Sequence, residues 1–267
     1  PLRRQRQMCI RDSFTIDRKT FHLEANDGNN TNHGGFSGFH NKVWQWEELP
    51  DGIRFSLYSP DGEGGFPGNI RVITDYRFNE DNELSVRHYA ETDCATYINM
   101  TNHAYFNLCG KGKKITEHRL HIPADRILDT TPAFIPTGKR MNVKNTPFDF
   151  TSLKPIGTDL YADHEQLLWN KGYNHCYILK DEISVEMLEA ASLYEPVTGR
   201  KMTVMTDLPA VLLYTAGYYE RPDTAVCLET QFYPDTPSHS DFPSCLVLPE
   251  KAYEHCTLFH FQVQKEE

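Results

Sequence analysis

Long apolar runs are missing from this sequence. No stretch approaches the roughly 20 apolar residues that a membrane-spanning helix needs. The arginines Arg3, Arg4 and Arg6 precede no apolar run of signal-peptide length. A membrane partner is therefore not expected. Positive charge is also scarce: 27 Lys and Arg stand against 37 Asp and Glu, a formal charge of -10. The short N-terminal basic cluster is too small for the phosphate-binding surface that a nucleic acid demands, which excludes nucleic acid as the main partner. The seven cysteines are odd in number, widely spread and contain no CxxC pair. That pattern argues against a disulfide framework and points to reduced thiols in a cytoplasmic protein.

Several chemical signatures are absent as well. The twelve histidines include no HxxxH or HExxH spacing, so a metal site is not expected, and His118 and His121 read as flanking a strand. No GxSxG elbow and no phosphate loop occur. Strands do not alternate with helices in the βαβ manner, which argues against a Rossmann fold.

What is present is strand chemistry. Aromatics make up 12% of the chain, with 14 Tyr and 15 Phe, and such residues favour a pleated, half-buried surface. Period-two alternation appears in Ile53, Phe55 and Leu57, in Ile70 and Val72, and in Phe259, Phe261 and Val263. Turn residues separate these runs: PDGEGG at 60–65, NEDNE at 79–83, EPVTGR at 195–200 and ERPD at 220–223. The pattern predicts an all-β antiparallel sandwich or barrel forming a single domain over 1–267, with one weak helical stretch around Leu160 to Trp169.

Three motifs carry polar chemistry. In NMTNHAYFNL, residues 99–108, His103 sits among Asn99, Thr101, Asn102, Tyr105 and Asn107. Each Asn and Thr must be paired when buried, so the cluster builds either a hydrogen-bonded turn or the lining of a wet pocket. In LETQFYPDTPSHSDFPS, residues 228–244, Glu229 follows an apolar strand, and a carboxylate desolvated at the end of such a strand is drawn toward the pKa range of a general base. In NNTNHGGFSGF, residues 29–39, Gly34 and Gly35 let the backbone turn sharply after His33 and approach a ligand. Taken singly, each has a bland alternative: a satisfied imidazole, a solvated glutamate, a surface loop.

Together, and in this order, the motifs resemble the galactose mutarotase (aldose 1-epimerase) family. Further matches lie in SPDGEGGFPGNIRV at 59–72, KGYNHCYIL at 171–179 and TGRKMTVMTDLPAVLLYTAG at 198–217. The resemblance implies a β-supersandwich holding a free aldohexose, with no metal or organic cofactor. It also implies Glu229 as catalytic base, His103 as catalytic acid, and His33, Asn174 and Tyr105 as sugar-binding residues. A sugar-binding or regulatory protein on the same fold, weak or inactive in turnover, and a hexose-6-phosphate 1-epimerase are the alternatives it leaves open, with a homodimer also left open.

The chain departs from the family at several positions. The family's sugar-contacting Arg is Cys9 here, with Arg6 nearby; its Asp is Asn174 and its Gln is Leu212. Arg18 stands where the family has a turn glycine. Roughly 60 to 80 residues that the family carries before this point have no counterpart, which at ordinary strand length amounts to several strands.

Overall fold

The computed structural model describes residues 10–110 and 112–264. Arg6 and Cys9 lie outside the described residues. The alternation read from the sequence becomes two large antiparallel sheets. The larger has nine strands, running from Gln45–Leu49 at one edge through Gly52–Ser59, Ile70–Phe78 and Glu83–Thr92. It continues through Tyr253–Val263, Arg200–Thr206, Leu188–Glu195 and Arg119–His121 to Lys154–Pro155. The smaller has five, in the order Pro136–Asn142, Arg126–Thr130, Asn174–Ile178, Ala210–Tyr214 and Cys227–Gln231. No helix among the described residues is long and apolar enough to cross a membrane.

The period-two rule gives each strand of the smaller sheet two functions. One face presents Tyr177, Val211, Leu213 and Leu228, which share a buried cluster with Leu193, Val204 and Phe259 of the larger sheet. The intervening residues face away from that core. In this register Cys176 lies opposite Leu212, and Leu212 opposite Glu229. Asn174 lies opposite Tyr214, and Tyr214 opposite Cys227.

A second cluster contains Phe39, Met100 and Phe232. Each comes from, or directly adjoins, one of the three polar motifs. Apolar packing thus gathers segments that lie far apart in the chain, at roughly 1.5 to 3 kcal/mol per buried large side chain.

The helical expectation is only partly met. The helix spans Glu165–Asn170 and begins five residues later than expected. His164 has extended backbone (φ -132°) and accepts a hydrogen bond from the Gln166 amide, so it caps the helix and the preceding residues cannot extend it.

Arg18 explains itself in the hairpin of Ser13–Ile16 with Lys19–His22. The strands pair Ile16 with Lys19, so Asp17 and Arg18 form a two-residue turn, with φ of 48° and 66°. Both residues are left-handed, as the tight hairpin geometry requires, and glycine occupies the second position without a steric penalty. Arg18→Gly is expected to stabilise the protein by about 1 kcal/mol, read as a higher urea midpoint with an unchanged m-value.

His88 and His175 are among the buried histidines. His88 is 2% exposed with its Nδ1 3.0 Å from Thr74 Oγ1, and His175 is fully buried. Burial pushes both down to about 3, with His255 and His164 respectively adding a smaller like-charge effect. A depressed histidine binds its proton more weakly in the folded chain than in the unfolded one. Stability is therefore fully present above the unfolded value of about 6.5 and falls with pH below it. Between pH 6 and 4 the expected slope is about 1.4 kcal/mol per pH unit for each of the two groups. Denaturant unfolding across that range measures it, and replacing His88 with Gln should remove one group's share.

Candidate active site

The two readings of the NMTNHAYFNL motif are both realised, by different residues. Its asparagines build the turns. Asn99 donates from Nδ2 to the Phe232 carbonyl (3.1 Å) and accepts from the Phe232 amide (2.9 Å), which locks this loop to the strand end that carries Glu229. Asn102 donates to the Tyr76 hydroxyl (2.8 Å) and accepts from the Ala104 amide (3.1 Å). Asn107 donates to the Lys113 and Thr224 carbonyls at 2.8 and 2.9 Å. With the asparagines tied to protein, His103 and Tyr105 line a cavity of about 380 Å³.

His33, Asn174 and Glu229 line the same cavity. All five residues singled out by the sequence are therefore brought together. His33 has φ 54°, followed by Gly34 at 82° and Gly35 at 78°. A Cβ on Gly35 would come within 2.8 Å of the Glu24 Cβ, so the loop requires glycine there. Glu24 in turn accepts from the Ser37 amide and hydroxyl, both at 2.7 Å, holding the loop closed. The His33 ring lies 5.7 Å from that of His103 between centroids.

Glu229 differs from expectation in one respect. It occupies the middle of strand Cys227–Gln231 and is fully buried, whereas the sequence placed it at a strand end. The alternation explains this: Leu228 fills the inter-sheet core, so Glu229 is turned to the cavity side of a continuous strand. His103 is 6% exposed, and its Nε2 lies 3.4 Å from Glu229 Oε1. The imidazole stacks on Tyr105 (centroids 5.0 Å, 20° between planes) and meets the edge of Tyr214 at 6.1 Å. A carboxylate and an imidazole in this contact can move one proton onto, and another off, two neighbouring oxygens of a ligand.

The rest of the lining falls into two kinds. Leu128, Cys176 and Leu212 give an apolar floor beside Glu229, and burial pushes the Cys176 thiol up, so it stays protonated. Tyr105, Phe134, Tyr218 and Tyr219 form an aromatic rim. Tyr105 and Tyr219 rings lie 5.5 Å apart, and Phe134 and Tyr218 6.2 Å apart. Partial burial, and then the Asp27 carboxylate, hold the Tyr218 phenol above its ordinary value. The sequence reading did not single out Tyr214 or the rim aromatics Phe134, Tyr218 and Tyr219. The only signal for the rim residues was the aromatic content of the connecting segments, and Tyr214 ends the strand Ala210–Tyr214.

A larger, more open groove of about 790 Å³ lies elsewhere, beside Asp61, Asn69 and Asp93. Three of its polar side chains are engaged with protein, the Gly68 amide donating to Asp61 (2.7 Å) and Asn69 donating to Asp93 (2.6 Å). It has no acid and base in contact, so the smaller cavity is the better candidate.

Comparison with known proteins points the same way. The sequence model for aldose 1-epimerase matches residues 6–260. Galactose mutarotase of Rattus norvegicus is 36% identical over 262 residues, covering 94% of this chain and 74% of that protein. Aldose 1-epimerase of Escherichia coli (strain K12) is 33% identical over 261 residues, covering 93% and 75%. The crystal structure of galactose 1-epimerase from Lactobacillus acidophilus NCFM superposes with a TM-score of 0.84 at 26% identity, covering 98% of this chain and 78% of that one. The match along the sequence and the match in fold agree, and the chain belongs to the aldose 1-epimerase family.

Proposed function

We propose that the protein is an aldose 1-epimerase, an isomerase that interconverts the α and β anomers of a free aldohexose such as galactose or glucose. The observation that carries this reading is the contact of His103 Nε2 with Glu229 Oε1, 3.4 Å apart at the floor of the cavity. The anomeric hydroxyl and the ring oxygen of a pyranose share one carbon, so a base and an acid held side by side can reach both. Glu229 removes the proton from the anomeric hydroxyl while His103 protonates the ring oxygen, and the ring opens to the aldehyde. Rotation about the C1–C2 bond presents the other carbonyl face. Reclosure reverses both transfers. The C1–ring-oxygen bond breaks with its electron pair left on the ring oxygen as the carbonyl forms, and only protons pass between protein and sugar, so neither an electron acceptor nor a covalent nucleophile enters the balance. His33 beside His103, together with Asn174 and Tyr105, holds the sugar by hydrogen bonding and ring contact.

Polarimetry on freshly dissolved α-D-galactose and α-D-glucose tests the reading. The approach to the equilibrium rotation is expected to accelerate in proportion to protein concentration. A rate equal to that of buffer alone would sink it.

A second reading, sugar binding without turnover, is favoured by Leu212. This residue lies opposite Glu229 in the sheet, where a side chain that makes no polar contact replaces the glutamine that the family resemblance leads one to expect. Calorimetric binding of galactose without any change in mutarotation rate would select it. A phosphorylated hexose finds no Lys or Arg among the described residues lining the cavity.

A further inference from the structure

Cys227 and Glu229 are separated by one residue on a strand, and therefore share a face. Tyr214, which pairs with Cys227 across the sheet, meets the His103 ring at its edge. The result is a cluster that sequence spacing could not reveal. The donor atoms of His103, Cys227 and Glu229 all lie within 4.8 Å of one another, and all three residues are buried. It is the one group of this kind among the described residues.

An imidazole, a thiol and a carboxylate together suit zinc, which takes nitrogen at about 2.0 Å, sulfur at about 2.3 Å and oxygen at about 2.0 Å in a tetrahedral site. Those bond lengths separate neighbouring donors by roughly 3.3 to 3.7 Å. His103 and Glu229 already stand 3.4 Å apart. The thiol needs to close by at most roughly 1.3 Å to complete the set. Three protein donors leave the fourth position open, as in zinc sites that bind an exchangeable ligand.

We propose that this cluster is a binding site for Zn²⁺ or a similar thiophilic divalent cation, and that the bound ion inhibits the protein. On binding, the Cys227 thiol releases its proton to solvent, and sulfur, imidazole nitrogen and carboxylate oxygen each donate a lone pair to the ion. The base is then engaged by the metal and the acid has no proton to give. Binding is independent of the aldose 1-epimerase reading; the inhibitory consequence rests on it.

The test titrates the metal-free full chain with Co²⁺, a spectroscopic substitute for zinc. Near-ultraviolet thiolate-to-cobalt absorption and the strong visible bands of a four-coordinate ion are expected, and Zn²⁺ should bleach both. Cys227→Ser should remove the thiolate band, and Glu229→Gln should weaken cobalt binding by about 10-fold or more. Cys245→Ser, which changes a buried thiol in a different cluster, should leave both signals intact. No thiolate band in the wild type, or a band that survives Cys227→Ser, overturns the site. Should Cys227→Ser fail to fold, the wild-type band and the Glu229→Gln titration decide. For inhibition, Zn²⁺ should slow galactose mutarotation reversibly, with a chelator restoring the rate, and an active protein indifferent to Zn²⁺ refutes that part. A chain that mutarotates no sugar even without metal instead refutes the aldose 1-epimerase reading, and leaves the cobalt result to stand or fall alone.

Discussion

Glu229→Gln is expected to lower kcat for galactose mutarotation by about 100-fold or more, with little change in KM. The amide has the volume of the carboxylate and fits the same fully buried position between Leu228 and Thr230, so the cavity keeps its shape. What disappears is the ability to take up a proton. Because the substrate must lose its anomeric proton before or as the ring opens, binding survives and turnover does not. The loss should also reshape the pH dependence of kcat/KM, removing the limb in which activity falls on the acid side, where the base is protonated. Stopped polarimetry across pH on the wild type and the variant measures both effects. A variant that turns over at the wild-type rate removes Glu229 from the mechanism.

His103→Ala is expected to produce a loss of similar size, about 100-fold or more, and to remove the opposite limb, where the acid has lost its proton. The imidazole also stacks on Tyr105 and lies beside His33, so the alanine variant leaves a void and KM should rise. His103→Gln keeps more of the volume and separates the two effects: kcat should stay low while KM recovers. The two transfers belong to one ring-opening event. The double variant Glu229→Gln with His103→Ala is therefore expected to be about as slow as the slower single variant, and far from the product of the two losses. Fully multiplicative losses would mean that the two groups act in separate steps.

The sheets were legible in the sequence because their signal is local. Alternation in 53–57, 70–72 and 259–263, with turn residues between strands, is enough to state the fold class. The candidate site was legible for a different reason: the five residues named for it sit in motifs whose order resembles a family. Their physical roles were less visible. Asn99 and Asn102 are bound to the backbone of Phe232 and to Tyr76, and nothing local distinguishes such an asparagine from one that lines a pocket. Glu229 reads as a strand end because polar residues follow it, yet the ladder with Ala210–Tyr214 continues through it.

The apolar floor could not be read at all. Leu128, Cys176 and Leu212 come from three different strands, and only the pairing register places them side by side. Cys227 escaped for the same reason, since its closeness to His103 is a property of the assembled sheet. The short helix gave only a weak sequence signal and its start was misplaced, because six residues are too few to establish a period of 3.6 and tertiary packing fixes it.

The strand Tyr253–Val263 lies between Arg200–Thr206 and Glu83–Thr92. Until residues 253–263 have left the ribosome, the hairpin ending at Thr92 presents an open edge of unpaired amides and carbonyls, and the two halves of the nine-stranded sheet have no common seam. Such a template invites a neighbouring nascent chain to pair with it. Synthesis in the cell therefore includes an interval of exposure lasting for the translation of more than a hundred and fifty codons, several seconds or longer at roughly 5 to 20 residues per second. Yield during expression should depend on the supply of chaperones far more than the stability of the finished molecule would suggest.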